Sequence, residues 1–177
     1  MTKTNIKKTV YTAMFIAIGI VLPFAFHTIP NAGNMLLPMH FPVLLCGLVC
    51  GLPYGLACGM IMPLLSSVMT NMPNAVSLPG MLGELAVYGL VSALLMKLVW
   101  TKSLYADIYI SLAGAMLSGR IVYGVINAFV FSVEPYSLGI WATAAFVTAI
   151  PGIVAQLVLI PIIIVALQKA RLIEARY

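Results

Sequence analysis

Two opposite charges lie inside apolar stretches of this chain, and they are the residues best suited to bind a ligand. Glu84 falls within the apolar run 78–100, and Arg120 falls within the run 104–133. A charged side chain at the centre of a membrane span costs about 2.5 to 3.5 kcal/mol, so it usually faces protein or water and has a partner. The two residues therefore either form an ion pair between helices or contact a polar ligand.

The helical neighbours of these charges favour a ligand. Arg120, Tyr123 and Asn127 follow i, i+3, i+7 spacing and so share one helix face. Glu84 and Tyr88 are four residues apart on the preceding run and share a face there. An arginine offers paired donors that fit a carboxylate or a phosphate. Together the two faces supply charge, an amide, phenols and stacking surface, which predicts a substrate-binding site.

A proline-rich stretch, residues 27–42, lies between two apolar runs. It contains both histidines, two asparagines and three prolines. Proline fixes φ and removes an amide donor, so this stretch should not continue a helix, and we expect an ordered external loop that acts as a lid. From it, His27, Asn34 and His40 are predicted to close the site.

The composition defines the class of protein. Of the 177 residues, 63% are hydrophobic and 7% are charged, which is too apolar for a soluble domain and indicates an integral membrane protein. A span needs about 20 apolar residues, so about six spans fill the chain as a single domain, 1–177. The sequence has no glycine-rich phosphate loop with a lysine and no nucleophile with a base, so we expect a protein that is not an enzyme.

The basic residues predict the topology. Residues 40–70 are interrupted near Pro53 and are too long for one upright crossing, so we interpret them as two short helices. Six helices then place both termini and the loop 97–102 in the cytoplasm, with eight of the nine basic residues on that side. The predicted fold is an all-α membrane protein with six transmembrane helices, both termini cytoplasmic and the proline-rich loop outside. The last span is predicted to cover 138–167.

Small residues are also regularly spaced. Glycines recur every four positions at Gly47, Gly51, Gly55 and Gly59, which predicts close packing around the second and third helices. Ala13 and Ala17 have the same spacing on the first helix. Such a face serves either internal packing or the docking of a partner subunit. The three cysteines lie in apolar sequence and are predicted to be buried packing residues.

These features resemble the substrate-binding S components of energy-coupling factor (ECF) transporters. The resemblance rests on the length, the six helices, the alanine-x-x-x-alanine of the first helix, the long first external loop, and the stretches MLLPMHFPVLLCG at 35–47 and GELAVYG at 83–89. It implies a receptor in a prokaryotic cell membrane that captures a vitamin from outside. It also implies docking, through Ala13 and Ala17, on a transmembrane coupling subunit driven by two cytoplasmic ABC ATPases. Those partners use ATP, and this chain is expected to bind neither a cofactor of its own nor nucleic acid.

The residues leave the ligand open. Arg120 suits a carboxylate, which makes pantothenate the first choice, whereas pyridoxine or hydroxymethylpyrimidine could use Glu84 with Tyr88 and Tyr123 stacking. If Glu84 and Arg120 neutralise each other, the choice between these ligands is open.

Two other classes of protein compete with a vitamin receptor. Uptake of a metal ion is suggested by His27, His40, Met35 and Met39, but no compact cluster of ligands supports a metal site. A structural membrane protein without a ligand would need Arg120 to be only a packing partner.

Overall fold

The computed structural model describes residues 3–26, 32–129 and 137–173, and every regular element in these ranges is helical. The elements in chain order are α1 (Lys3–Ala25), α2 (Ala32–Leu36), α3 (His40–Cys50), α4 (Leu52–Thr70), α5 (Leu78–Leu98), α6 (Leu104–Phe129), α7 (Leu138–Ala142), a π-helix (Thr143–Thr148) and α8 (Ile150–Lys169). Five helices, α1, α4, α5, α6 and α8, are long and apolar enough to cross a membrane.

The interruption predicted near Pro53 is present, and the chain reverses at Gly51. Gly51 has a φ of 92°, which L side chains rarely adopt, and it separates α3 from α4. Pro53 lies in the first turn of α4, where its missing N–H costs no helical hydrogen bond. A Cβ on Gly55 would overlap the backbone of Gly47, so the two helices fold back on each other as a hairpin.

The first helix of this hairpin is short. Its 11 residues rise about 16 Å, roughly half of a 30 Å hydrocarbon core. Its N-terminal residue, His40, is nevertheless buried. Helix length therefore does not confirm six crossings, and the side of the membrane on which each terminus lies stays a prediction.

The predicted lid is only partly a loop. Residues 27–31 lie outside the described residues, whereas 32–36 form the short helix α2, which the prediction of an ordered loop did not include. The five residues of α2 lie between Pro30 and Pro38 and contain no proline to prevent a helical turn. A buried turn, residues 37–39, then leads into α3. Whether the segment acts as a lid is not shown.

The last predicted span is divided into three elements. Residues 138–148 form α7 and the π-helix, and α8 begins at Ile150. Pro151 in the first turn of α8 has no N–H to donate to the preceding turn, which favours an interruption there. Wide helical turns are uncommon and often occur at functional sites.

The predicted glycine packing is present for Gly47, Gly55 and Gly59, and its partner is α5, whereas a Cβ on Gly51 would meet no described atom within 4 Å. A Cβ on Gly55 or Gly59 would overlap backbone atoms of Gly89 or Leu85, and one on Gly47 would overlap Ser92. Without side chains between them, α3 and α4 therefore approach α5 almost backbone to backbone. The three cysteines are free and buried, as predicted for packing residues.

Replacing Gly89 with alanine tests this contact. The added Cβ would overlap the carbonyl of Gly55, and overpacking of this kind costs about 1 to 3 kcal/mol. We expect the melting temperature in detergent to fall by about 2 to 12 °C. Gly139→Ala is the control, because among the described residues its Cβ would meet Ser137 Oγ alone, at 3.8 Å. Equal melting temperatures for the two variants would contradict the packing described.

Candidate binding site

Three helices bring Glu84, Arg120 and His40 together inside the bundle. Arg120 Nη1 lies 3.1 Å from Glu84 Oε1, and His40 Nε2 lies 3.3 Å from Glu84 Oε2. Glu84 is 2% exposed, His40 2% and Arg120 7%, so the cluster is almost dry. The ion pair considered from the sequence is therefore formed, and His40 is a third member that the sequence had placed only in the loop.

The cluster is not internally satisfied. The two short contacts lack the angles of hydrogen bonds, and within the described part of the chain Arg120 Nε, Arg120 Nη2, Glu84 Oε1 and both His40 nitrogens have no hydrogen-bond partner. Buried polar groups without partners are costly and usually indicate a missing group. Nε and Nη2 form one edge of the guanidinium, and a carboxylate can bridge that edge with two parallel bonds.

A cavity of about 520 Å³ adjoins these groups. Its volume lies in the range of small-molecule sites. Its wall contains residues from α1, α2, α3, α5, α6, α7, the π-helix and two connecting segments, 37–39 and 71–77. The lining residues are Pro23, Gly33, Leu37, Pro38, Met39, His40, Met72, Pro73, Asn74, Ser77, Met81, Glu84, Arg120, Tyr123, Trp141, Ala144, Ala145 and Thr148.

Tyr88 packs against the cluster without lining the cavity. Its ring meets that of His40 edge to face, with centroids 5.1 Å apart. A Cβ on Gly119 would overlap the Tyr88 ring, so this glycine lets α5 and α6 approach beside Arg120. Tyr88 is 1% exposed and does not line the cavity, so its contribution to the cluster is to pack against His40.

Trp141 is fixed to the helix that carries Arg120. Its indole N–H donates a hydrogen bond of 3.1 Å to the Arg120 carbonyl, and a Cβ on Gly124 would overlap the indole. The Phe146 ring packs against it edge to face, 5.6 Å away. Trp141 therefore forms an anchored aromatic wall of the cavity.

The structure brings together four of the eight binding residues predicted from the sequence. His40, Glu84, Arg120 and Tyr123 line the cavity. Asn127 does not; its side-chain amide donates to the Tyr123 carbonyl at 3.0 Å. Tyr88, described above, is a third type of outcome, because it contacts the cluster but not the cavity. His27 lies outside the described residues. The backbone of Asn34 belongs to α2, but its side chain is not described.

Sequence reasoning missed several wall residues. Trp141 occurs at the start of the last apolar run, and Asn74 and Ser77 lie in the connection before the run 78–100. The sequence held one indication of these wall residues. Aromatic and polar residues are concentrated near the ends of the apolar runs, and Glu84 and Arg120 had already drawn attention to those runs. No group of three or more His, Cys, Asp or Glu side chains suited to a metal occurs in the described ranges.

The alanine motif lies elsewhere. Ala13 and Ala17 are exposed on α1, whereas Thr12 and Gly19 are buried against the bundle. The exposed face also carries large apolar residues, among them Met14 and Val21. It is available to lipid or to a partner subunit.

Comparison with known families identifies the class of protein. Residues 7–164 match the family model for the substrate-specific component of ECF transporters. The chain belongs to this family, which makes it a multi-pass protein of a prokaryotic membrane and the substrate-capture subunit of a transporter whose coupling and ATPase subunits it joins. No curated protein and no solved structure matches it.

A double-mutant cycle tests the buried pair. Removing one partner of a buried ion pair leaves an uncompensated charge and costs about 3 to 5 kcal/mol. We expect Glu84→Gln to lower the free energy of unfolding by about this amount, since it leaves Arg120 without its counter-ion. The double variant Glu84→Gln/Arg120→Gln should lose much less than the sum of the single variants. Additive losses in thermal or denaturant unfolding would show that the two side chains do not interact.

Proposed function

We propose that this chain captures a small carboxylate vitamin, with pantothenate as the first choice, in the cavity beside Arg120. The observation that carries the proposal is the free Nε/Nη2 edge of a buried guanidinium whose Nη1 is already next to Glu84. A planar carboxylate that receives two charge-assisted hydrogen bonds satisfies this edge better than a neutral hydroxyl does. Glu84 holds the guanidinium in place and leaves the bidentate edge for the ligand.

The rest of the cavity suits a flexible, mostly aliphatic ligand with a few polar groups. Met81 and Trp141 provide apolar surface, and Asn74 and Ser77 provide polar groups. A site with one charged group that fixes the ligand and a few neutral polar groups around it is typical of small-molecule sites. It accommodates an amide and hydroxyls beyond the carboxylate.

An aromatic heterocycle is the second candidate. Tyr123 and Trp141 both line the cavity and offer faces for stacking, and Glu84 Oε1 lacks a hydrogen-bond partner among the described groups. Pyridoxine or hydroxymethylpyrimidine would use these groups. Neither would satisfy the Nε/Nη2 edge of Arg120 as a carboxylate does, which is why we prefer pantothenate.

In the membrane we place six helical segments, with both termini cytoplasmic and the cavity towards the outside. The basic residues near the ends of α1, α5 and α8 support this orientation, because loops rich in lysine and arginine stay in the cytoplasm. The exposed face with Ala13 and Ala17 docks on the transmembrane coupling subunit, which two cytoplasmic ABC ATPases drive. A metal-ion permease and a ligand-free structural role are not favoured, since neither explains the unpartnered donors beside the cavity.

The ligand is identified first by native mass spectrometry of the purified protein, followed by analysis of the small molecules released on denaturation. A co-purified carboxylate vitamin supports the proposal. A co-purified heterocycle without a carboxylate would replace the first candidate by the second.

Arg120→Ala tests the anchor. Loss of two charge-assisted hydrogen bonds, each about 1.5 to 3 kcal/mol, should weaken pantothenate binding by at least about 100-fold in titration calorimetry. Arg120→Lys keeps the positive charge but lacks the paired donors of the guanidinium, so we expect an intermediate loss of affinity. Ser111→Ala, a buried α6 substitution outside the cavity lining, is the folding control. Affinity of the wild-type level in Arg120→Ala would rule out this binding mode.

Ala17→Trp, or equally Ala13→Trp, tests the docking face. A bulky indole on the exposed face of α1 should obstruct the coupling subunit, so uptake by the whole transporter should drop at least about tenfold while ligand affinity is unchanged. Val68→Trp, at a position 87% exposed on α4, adds the same bulk elsewhere and should leave uptake intact. Normal uptake by a well-expressed Ala17→Trp variant would remove α1 from the interface.

A further inference from the structure

We propose that His40 takes up a proton when the ligand carboxylate binds, so that the site captures an anion and a proton together. This inference rests on the proposed function, because it concerns a carboxylate bound to Arg120. It begins with the contact between His40 Nε2 and Glu84 Oε2 at 3.3 Å and with the burial of both residues.

The charges of the site do not balance once an anion is added. With His40 neutral, Glu84 and Arg120 cancel, and a ligand carboxylate on the Nε/Nη2 edge gives the buried cluster a net charge of minus one. A net charge away from water is costly unless a counter-charge lies beside it. A proton on His40 supplies that counter-charge 3.3 Å from Glu84 Oε2, and the other oxygen of Glu84 lies 3.1 Å from Arg120 Nη1.

No other described group near His40 can provide the missing positive charge. The titratable or charged groups that face it are Glu84 and Tyr88 on α5 and Arg120 and Tyr123 on α6. Neither α2 nor the π-helix has a titratable residue, and the lysines of α1 and α8 lie at the opposite end of these helices. Both His40 nitrogens lack a hydrogen-bond partner within the described chain, so a second proton displaces no existing bond.

Proton uptake would also select ligands. A carboxylate would gain from protonated His40, whereas a neutral analogue would bind without a proton and without the added attraction. The alcohol analogue of pantothenate, in which a hydroxymethyl group replaces the carboxylate, isolates this difference because the rest of the molecule is identical.

The test is titration calorimetry of the purified chain with pantothenate in buffers that differ in ionisation enthalpy. The slope of observed enthalpy against ionisation enthalpy counts the protons taken up. Measured at pH values from about 5.5 to 8.5, the count should reach about one proton per pantothenate at the alkaline end and be smaller at the acidic end. Affinity should correspondingly weaken by up to about tenfold per pH unit at the alkaline end.

Two comparisons complete the test. The alcohol analogue should bind with no proton uptake, and His40→Gln should bind pantothenate with a count of about zero and an affinity that does not change with pH. Ser111→Ala, outside the cavity lining, should keep the wild-type count.

The outcomes separate the two proposals. Pantothenate binding with no proton uptake in the wild type overturns the inference and leaves the proposed function standing, and uptake that persists in His40→Gln overturns the role of His40. If pantothenate does not bind at any pH, the proposed function fails and the inference fails with it.

Discussion

The short helix α3 is the constraint on which the rest of the site depends. Because the chain reverses at Gly51 and α3 has only 11 residues, its first residue, His40, lies at the level of Glu84 within the bundle. The longer helices α5 and α6 continue beyond that level. A longer α3 would fill the space beyond His40. That space is the cavity, and the turn 37–39, the loop before α5 and the π-helix line it.

The same geometry explains how a membrane protein keeps two opposite charges in its interior. Glu84 and Arg120 are close enough to offset much of each other's desolvation, but one edge of the guanidinium stays unpaired. A purely structural pair would use its donors more completely, since unpaired buried donors cost free energy without benefit. The incomplete pairing favours a ligand site over a simple link between helices, and all three residues of the cluster line the adjoining cavity.

Much of the site could be predicted because charge in an apolar run is a strong signal. Glu84 and Arg120 stand out in any reading of the sequence, and their i+3 and i+4 neighbours add Tyr123 and Tyr88.

Trp141 could not be predicted in this way, because its place depends on Gly124 and on the carbonyl of Arg120, two features visible only in three dimensions. The π-helix within 138–167 was not predicted, since a single extra residue in a turn changes backbone hydrogen bonding without disturbing hydrophobicity. The break between α3 and α4 was predictable because glycine and proline occur together there.

The two sides of the cavity differ in stiffness, because the glycines that allow close helix packing lie on one side. On one side, Gly47, Gly55, Gly59 and Gly89 bring α3, α4 and α5 almost into backbone contact, and such packing leaves little room for side-chain rearrangement. On the other side, α2, α7 and the π-helix are short elements, and α2 meets the bundle mainly through Gly152 of α8. Glu84 and His40 belong to the rigid side, so the two residues that accompany Arg120 in the cluster are held in place. Any motion that admits a ligand is then easier on the side of the short elements, where few buried contacts have to be broken.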